Sequence, residues 1–333
     1  MNVRNHLAAS TALVALAAFG QSVAAQDTRE FSFAYDQPVS TAYGFAGNLF
    51  EEQIAACTNG SMKINQFPGA QLGQEPVLLE KMRSGDIDFI ITSSANAATV
   101  SPELGVMSLH FLFEDEDHLV KAVGSKELND AIKQVVDETV EGGHVLTVMT
   151  MGFRNIYSKE EVKSVDDLDG KKIRVQATKT EDTHFPAYGA QPVHMPFGDV
   201  YTSIQTGVVD MAENGVNVFL SNKHYEVAPV MSFTQHEANN NLVWVSDKTL
   251  QSLSDEEKAC VEEVAAMIGA QEPAHALQLE TDSAQKLKDL GVLIVEDVDK
   301  SGFIAAAQPI QDQLAAELGP NAVAVVEVIR SLK

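Results

Sequence analysis

An arginine in the middle of an apolar strand pattern is the first residue whose chemistry needs an explanation. The segment GKKIRVQA places Arg174 between Ile173 and Val175. Because successive side chains of a strand point to opposite faces, the two apolar residues are predicted to face the core while Arg174 faces away from it. A guanidinium binds a carboxylate through two parallel hydrogen bonds, so this position fits an anionic ligand. The alternative is a structural ion pair with Asp199 or another acid of the protein.

The overall negative charge of the chain bears on what Arg174 could bind. The sequence contains 47 aspartate and glutamate residues against 23 lysine and arginine residues, which gives a formal net charge of −24. So acidic a chain is unsuited to nucleic acid or to an anionic membrane surface. Because salt screens charges beyond about 8 Å, an anionic ligand must be held by a local, buried cation and not by the average field of the protein.

Patterns typical of catalysis or metal binding are missing from the sequence. It has no G-x-S-x-G motif, no P-loop and no G-x-G-x-x-G motif after a strand. The histidines considered as ligands have no metal-binding spacing such as H-E-x-x-H; they are His184, His194, His224 and His236. We therefore expect no metal, no cofactor and no enzymatic activity. The cysteines, Cys57 and Cys260, either form a disulfide or remain as two buried thiols.

The N-terminus has the features of a secretory signal peptide. Residues 7–20 form an apolar run that is too short for a membrane-spanning helix, and small residues follow it. Val23 and Ala25 occupy the −3 and −1 positions that a signal peptidase prefers, which predicts a signal peptide over 1–25 and cleavage before Gln26. Since no later segment approaches about 18 consecutive apolar residues, we expect no stable membrane insertion of the mature chain.

Strands and helices alternate along the mature chain, which predicts an α/β fold with mostly parallel sheets. Two segments, 78–94 and 199–215, share one plan: an apolar-faced helix, a glycine, and a strand that ends in polar residues. The glycines, Gly85 and Gly207, fit the left-handed position after a helix. Ligands of open α/β sheets bind at the carboxyl ends of strands. Two similar lobes facing each other would therefore bring both polar ends to one cleft.

A long helical pattern covers residues 252–291. Ser254 and Glu257 have the spacing of a capping box at its start. Unbroken, the helix would span roughly 55 Å, which exceeds one small lobe, although Pro273 is expected to kink or break it. The sequence has no low-complexity linker, so we expect the lobes to be joined by crossing strands and not by a flexible tether.

Seven segments together resemble the solute-binding proteins of tripartite ATP-independent periplasmic (TRAP) transporters. They recur in the order and spacing of that family and cover nearly the whole mature chain: FPGAQLGQE (67–75), GDIDF (85–89), FLFEDEDH (111–118), GFRNIYS (152–158), DLDGKKIRVQA (167–177), GAQPVHMPFGDVYTSIQTGVVDMAEN (189–214) and HYEVAP (224–229). One departure is His110, since the family usually has proline before the aromatic residue of the FLF segment.

The resemblance implies a two-lobed type II periplasmic-binding-protein fold with an interlobe cleft and a long C-terminal-region helix spanning both lobes. The expected first lobe is 26–152 plus 239–279, and the expected second lobe is 153–238 plus 280–333. Such a protein is periplasmic, closes about a hinge on one small organic acid and delivers it to the subunits of a TRAP membrane permease. A ligand-sensing protein that docks on a membrane receptor and an exported enzyme are the alternatives, because fold alone does not decide function.

The resemblance also implies roles for individual residues. Arg174 corresponds to the carboxylate-binding arginine, with Arg154 as a second cation near the ligand or a surface ion pair. Asn214 is expected to bind the ligand, Phe197 to pack on it or in the core, and Glu213 to orient an arginine. Further cleft positions are expected in the first lobe at Asp36, Glu75, Ser93 and Asn96. Carboxylates there would accept ligand hydroxyls, which favours a hydroxylated acid such as a sugar acid over a C4-dicarboxylate.

Overall fold

The computed structural model describes residues 28–333, and the predicted signal peptide and its cleavage site lie outside this range. The strands are β1 (Arg29–Ala34), β2 (Met62–Phe67), β3 (Phe89–Ser93), β4 (Gly143–Ser158), β5 (Lys172–Val175), β6 (Gln191–His194), β7 (Met211–Asn214), β8 (Val230–Ser246) and β9 (Leu293–Val295). No helix within the described part of the chain is both long enough and apolar enough to cross a membrane.

Twelve α-helices in the described residues accompany these strands. They are α1 (Ala42–Cys57), α2 (Glu75–Ser84), α3 (Ser94–Ala97), α4 (Glu116–Val123), α5 (Lys126–Thr139), α6 (Lys179–Ala187), α7 (Val200–Thr206), α8 (Val216–Ser221), α9 (Asp247–Ser252), α10 (Asp255–Asp289), α11 (Ser301–Leu318) and α12 (Pro320–Ser331). The alternation of strand and helix along most of the chain confirms the predicted α/β class.

Two long strands connect two lobes of similar design. The sheet order is β2-β1-β3-β8-β4-β7-β5-β6, with β9 beside β8. Strands β1 to β3 are parallel in the first lobe, and β5 to β7 are parallel in the second. Strands β4 and β8 pair antiparallel along their length and run through both lobes, with register shifts between Thr150 and Phe153 and between Arg154 and Ile156. The predicted crossing-strand connection of a two-lobed fold is confirmed.

The two repeated sequence segments form the same structure. Helices α2 and α7 both end at a left-handed glycine, with φ of 76° at Gly85 and at Gly207. In both copies an aspartate before the following strand accepts a backbone N–H of the neighbouring strand at 2.8 Å, from Ser32 to Asp88 and from Lys172 to Asp210. The carboxyl ends of β3 and β7, which carry the predicted polar residues, are therefore positioned in the same way in each lobe.

The C-terminal helix belongs to a different core from the one expected. Val325 and Ile329 of α12 pack in one hydrophobic cluster with Leu128 and Ile132 of α5, in the first lobe. The start of α11, at Phe303, packs in the second lobe. The sequence expectation placed all of 280–333 in the second lobe, since an amphipathic helix pattern does not reveal which core buries its apolar face.

Helix α10 is continuous over 35 residues, so Pro273 does not break it. Its start has the predicted capping box between Ser254 and Glu257. The helix packs on α1, on the crossing strand β4 and on α8, and thus contacts both lobes. The open question about the cysteines is also answered, since Cys57 of α1 and Cys260 of α10 form a disulfide with their Cα atoms 6.1 Å apart.

Candidate ligand-binding cleft

Arg174 has the strand environment that the alternation pattern predicts. Ile173 and Val175 are fully buried in the core of the second lobe, and Arg174 lies on the opposite face of β5. Its guanidinium donates to the backbone oxygen of Met195 from Nε (3.1 Å) and Nη2 (2.8 Å). The Phe197 ring centroid lies 5.8 Å from the guanidinium carbon, close enough for a cation–π contact. These contacts fix the orientation of the side chain without neutralising its charge.

Among residues 28–333, no carboxylate forms an ion pair with Arg174, although the side chain is only 2% exposed. The alternative of a structural pair with Asp199 is not found. Its Nη1 makes no hydrogen bond to a described residue, so a donor remains for a ligand. Burial lowers the pKa of Arg174, an effect that Glu213 opposes. A buried cation with a spare donor is suited to an incoming anion.

Arg154 of β4 is, in contrast, held by a protein carboxylate. Its Nε and Nη2 bind the two carboxylate oxygens of Glu213, with Nη2 to Oε1 at 2.6 Å, and Nη1 donates to Asn239 Oδ1 at 3.0 Å. Both charged side chains are almost completely buried, so the pair is not a surface salt bridge. Burial acts to lower the pKa of Arg154, but Glu213 and Glu237 outweigh it and raise that pKa. Glu213 thus holds the Arg154 guanidinium in one orientation.

Asn214 ends strand β7 with its carboxamide fixed by neighbours. Its Oδ1 accepts hydrogen bonds from Asn239 Nδ2 and from the backbone N–H of Gly215, both at 2.9 Å. The Nδ2 group makes no hydrogen bond to the described residues, which leaves two N–H donors in a defined direction. The amide therefore offers donors, as a carboxylate or hydroxyl oxygen of a ligand requires.

Glu75 organises the first-lobe side of the cleft. It is the first residue of α2, and its Oε2 accepts from the backbone N–H (2.9 Å) and Oγ (2.7 Å) of Ser93 and from Asn96 Nδ2 (2.7 Å). Its Oε1 accepts from the Tyr43 hydroxyl at 2.9 Å. Four donors on one carboxylate fix its position, so Glu75, Ser93 and Asn96 form one connected group.

Asp36 follows strand β1 and is buried beside this group. Its Oδ1 accepts from Gln37 Nε2 at 3.0 Å. Burial, and next the charge of Glu75, raises the pKa of Asp36 well above its usual range. The same site therefore contains a carboxyl group that favours its protonated form on one lobe and a buried cation on the other.

The structure brings the predicted residues to one cavity between the lobes. Its volume is about 20 Å³, and its lining includes Asp36, Glu75, Ser93, Asn96, Arg154, Arg174, Phe197 and Asn214. Glu213 does not line the cavity and lies behind Arg154. A second cavity of about 230 Å³ adjoins the first and shares Asp36, Glu75, Asn96 and Phe197 with it. The inner cavity holds about one water molecule, whereas the outer one is closer to the size of a small ligand.

Hydrogen bonds cross between the lobes at this cleft. Gln176 Nε2 donates to Ser93 Oγ at 3.0 Å, and the backbone N–H of Gly198 donates to Gln74 Oε1 at 3.2 Å. These bonds connect the segments after β5 and β6 with the start of α2 and the end of β3. The small inner volume and the direct bonds together describe a closed cleft.

Sequence reasoning missed several polar residues of the cleft. Asn239 and Asn241 of β8 line the cavity, and so does Tyr43, whose hydroxyl, with a single proton, lies between two acceptors, Glu75 Oε1 at 2.9 Å and Asn241 Oδ1 at 2.7 Å. A signal was available, because residues 239–241 form an asparagine run inside a strand that is otherwise apolar at its end. Tyr43 gave no such signal, since a tyrosine on the apolar face of a helix is usually a core residue.

Comparisons with known proteins agree with this architecture. The family model of bacterial extracellular solute-binding proteins, family 7, matches residues 33–318. The chain is 29% identical over 313 residues to the 2,3-diketo-L-gulonate-binding periplasmic protein YiaO of Escherichia coli, covering 93% of this chain and 94% of the relative.

Two solved structures are similar over nearly their whole length. A TRAP periplasmic solute-binding protein from Xanthobacter autotrophicus with bound β-D-galacturonate has 28% identity and a TM-score of 0.84, covering 90% of this chain and 99% of that one. The sugar acid binding protein DctPAm of Advenella mimigardefordensis, in complex with galactonate, has 27% identity and a TM-score of 0.85, covering 92% and 99%. The chain belongs to the TRAP-type extracellular solute-binding proteins of family 7.

Proposed function

We propose that this protein captures a sugar acid in the periplasm by closing its two lobes and delivers it to a TRAP membrane permease. The observation that carries the proposal is the buried guanidinium of Arg174, which has no carboxylate partner in residues 28–333 and lines the interlobe cavity. Relatives of this family described as binding galacturonate, galactonate and 2,3-diketo-L-gulonate support the ligand class. The family consists of transport proteins and not of enzymes.

The ligand carboxylate is assigned to the second-lobe side of the cleft. The spare donor of Arg174 and the free amide donors of Asn214 are available for its oxygens. The donors of Arg154 are engaged by Glu213 and Asn239, so it contributes a fixed positive charge more than a direct hydrogen bond. Phe197 covers the site from the side and keeps water from the ion pair.

The ligand hydroxyls are assigned to the first-lobe side. Asp36, which favours its protonated form because burial and next the charge of Glu75 raise its pKa, can donate to or accept from a ligand hydroxyl. A negative charge at Glu75 would repel a second carboxylate. A C4-dicarboxylate spanning the cleft would place one of its charges beside these acids. A sugar acid places hydroxyls there instead, and this charge asymmetry favours a hydroxylated monocarboxylate.

Closure is proposed to occur about the crossing strands β4 and β8. The first lobe is taken as 26–152 plus 239–279 together with α12, and the second as 153–238 plus the segment from 280 to α11. The inner cavity of about 20 Å³ is smaller than a sugar acid, so binding replaces the direct bond between Gln176 and Ser93 with bonds to the ligand. Two-lobed proteins commonly bind a ligand by hinge closure, with the ligand bridging the lobes.

The proposal is tested by calorimetric titration of the mature protein with D-galacturonate, D-glucuronate, D-galactonate, L-malate and succinate. We expect one sugar acid per chain to bind and the two dicarboxylates to bind at least about tenfold more weakly, which corresponds to about 1.4 kcal/mol. Thermal shift with the same panel gives an independent reading, because a ligand that binds the folded state raises its apparent stability. Preferential binding of malate or succinate would contradict the ligand assignment.

A further inference from the structure

A second polar cluster lies behind the ligand cavity, at the crossing of the lobes. It consists of His110, which follows the 3₁₀ segment Pro102–Ser108, Glu181 of α6, and His236 and Glu237 of β8. Each of these side chains is at most 2% exposed. None of them lines the ligand cavity, although Glu237 Oε2 lies 3.4 Å from Arg154 Nε, so the cluster adjoins the site already described without forming its lining.

The cluster concentrates buried polar atoms that have no hydrogen-bond partner. Among the described residues, these atoms are His110 Nε2, His236 Nε2, Glu237 Oε2 and both carboxylate oxygens of Glu181. Buried polar groups in folded proteins are nearly always hydrogen-bonded, and isolated exceptions need an explanation. Several unpartnered atoms that face one another indicate that a bound species completes their coordination.

The Nδ1 contacts of the two histidines leave Nε2 of each ring available as a metal ligand. His110 Nδ1 lies 2.9 Å from the Tyr188 hydroxyl oxygen, and His236 Nδ1 lies 2.8 Å from Thr234 Oγ1. A hydroxyl oxygen can accept from the Nδ1–H of a neutral imidazole, which leaves the lone pair on Nε2, and metal-ligating histidines use such second contacts for orientation.

The cluster has an excess of acidic groups that a divalent cation could neutralise. Glu181, Glu213 and Glu237 are three buried carboxyl groups, and Arg154 is the one cation that pairs with them within the described residues. The remaining two acids either take up protons or share a divalent metal ion. One divalent cation would neutralise both acids in their ionised forms.

We propose that His110, His236, Glu237 and Glu181 form a closed binding site for one zinc ion. The His110 Nε2 and Glu181 Oε2 atoms are 3.5 Å apart, close to the roughly 3.4 Å between two ligands of tetrahedral zinc with bonds of about 2.0–2.1 Å. The ligand atoms of His110, His236 and Glu237 lie within 4.8 Å of one another, so binding draws them together by up to about 1.4 Å. Glu181 is near His110 but not within this distance of all three, so it moves further to become the fourth ligand.

Four protein ligands without an open position are what distinguishes a structural zinc site from a catalytic one. The metal would tie the segment before α4 and helix α6 to the crossing strand β8, and so stabilise the hinge. This proposal departs from our sequence-based expectation of no metal. The ligands come from three distant segments and have no local spacing, and His110 occupies the position where the resembling family usually has proline.

The test uses untagged mature protein that has been treated with a chelator and then dialysed against Zn²⁺. Mass spectrometry of the metal content is expected to give one zinc per chain, and titration with Co²⁺ is expected to give the strong visible absorption of four-coordinate cobalt. His110→Gln and Glu237→Gln are each expected to weaken Zn²⁺ binding by at least about tenfold. His144→Gln is the matched control, since His144 is exposed and its ring contacts only the surface acids Asp137 and Asp247.

The outcomes distinguish specific zinc binding at the cluster from adventitious binding at the surface. One zinc per chain that is retained by His144→Gln and lost in a folded His110→Gln or Glu237→Gln variant supports the proposal, with folding checked by circular dichroism. The proposal is overturned if the wild-type protein retains no stoichiometric zinc and shows no four-coordinate cobalt spectrum, or if both cluster variants bind zinc as the wild type does. Zinc that is lost with His144→Gln would assign the metal to the surface and would also overturn it. Sugar-acid binding is measured separately and does not decide this question.

Discussion

Replacing Arg154 is expected to destabilise the protein far more than replacing Arg174, although both arginines are buried. Arg154→Gln leaves Glu213 as an unpaired carboxylate that is 1% exposed. Removing one partner of a buried ion pair typically destabilises a protein by about 3–5 kcal/mol. Since 1 kcal/mol shifts the melting temperature of a large domain by about 2–4 °C, we expect a decrease on the order of 10 °C. Thermal and urea unfolding at neutral pH measure it.

Two further variants test the reasoning behind this number. Glu213→Gln combined with Arg154→Gln removes both charges, and the double variant is expected to be more stable than Arg154→Gln alone because no uncompensated carboxylate remains. Arg174→Gln removes the hydrogen bonds to the Met195 carbonyl and the cation–π contact with Phe197 but leaves no carboxylate unpaired, so its loss is expected to be about 1–2 kcal/mol. The reasoning would be refuted if the two single variants lowered the melting temperature equally, or if the double variant were no more stable than Arg154→Gln.

Three other predictions follow from the hinge, from a buried acid and from the disulfide. Small-angle scattering is expected to show a smaller radius of gyration when a saturating sugar acid is added, and an unchanged profile would contradict hinge closure. Burial raises the pKa of Glu272, against the effect of the hydrogen bond from the Thr150 N–H. Because the folded protein then binds this proton more tightly than the unfolded chain does, Glu272 contributes its full stabilisation below about pH 4. That stabilisation is lost as the pH rises through the pKa of Glu272 in the folded state. Glu272→Gln should therefore flatten the decrease of melting temperature above pH 5, whereas an unchanged slope would exclude this residue as its source. Reducing the Cys57–Cys260 disulfide, which closes a loop of 203 residues, should lower stability by up to about 5 kcal/mol and leave ligand affinity unchanged; a melting temperature that does not respond to reduction would contradict this.

The local features of the fold, such as helix ends and strand faces, could be predicted from the sequence because they depend on short-range patterns of apolar and polar residues. The left-handed positions of Gly85 and Gly207 followed from a glycine after an apolar-faced helix, and the structure has both at φ 76°. The outward position of Arg174 followed from strand alternation between two core residues. The two-lobed arrangement was predicted from the repeat of segments 78–94 and 199–215, and the resemblance carried by the seven segments added the type II periplasmic-binding-protein fold.

The long-range part could not be predicted in the same way. Which arginine is paired depends on how β4 and β7 meet, because that contact places Glu213 beside Arg154 and leaves Arg174 to the cleft. The packing of α12 on the first lobe is likewise a contact between distant segments. The position of Pro273 within a continuous helix shows that tertiary contacts along α10 outweigh a local preference.

The most direct test of the central claim is a calorimetric titration of Arg174→Ala and the wild type with the sugar acid that binds best. One charge-assisted hydrogen bond from the spare donor of Arg174 contributes about 1.5–3 kcal/mol, so we predict that the variant binds at least about tenfold more weakly. Its melting temperature without added ligand should stay within a few degrees of the wild type, because no protein carboxylate among residues 28–333 loses a partner. A folded Arg174→Ala protein that binds the sugar acid with nearly wild-type affinity would contradict the account.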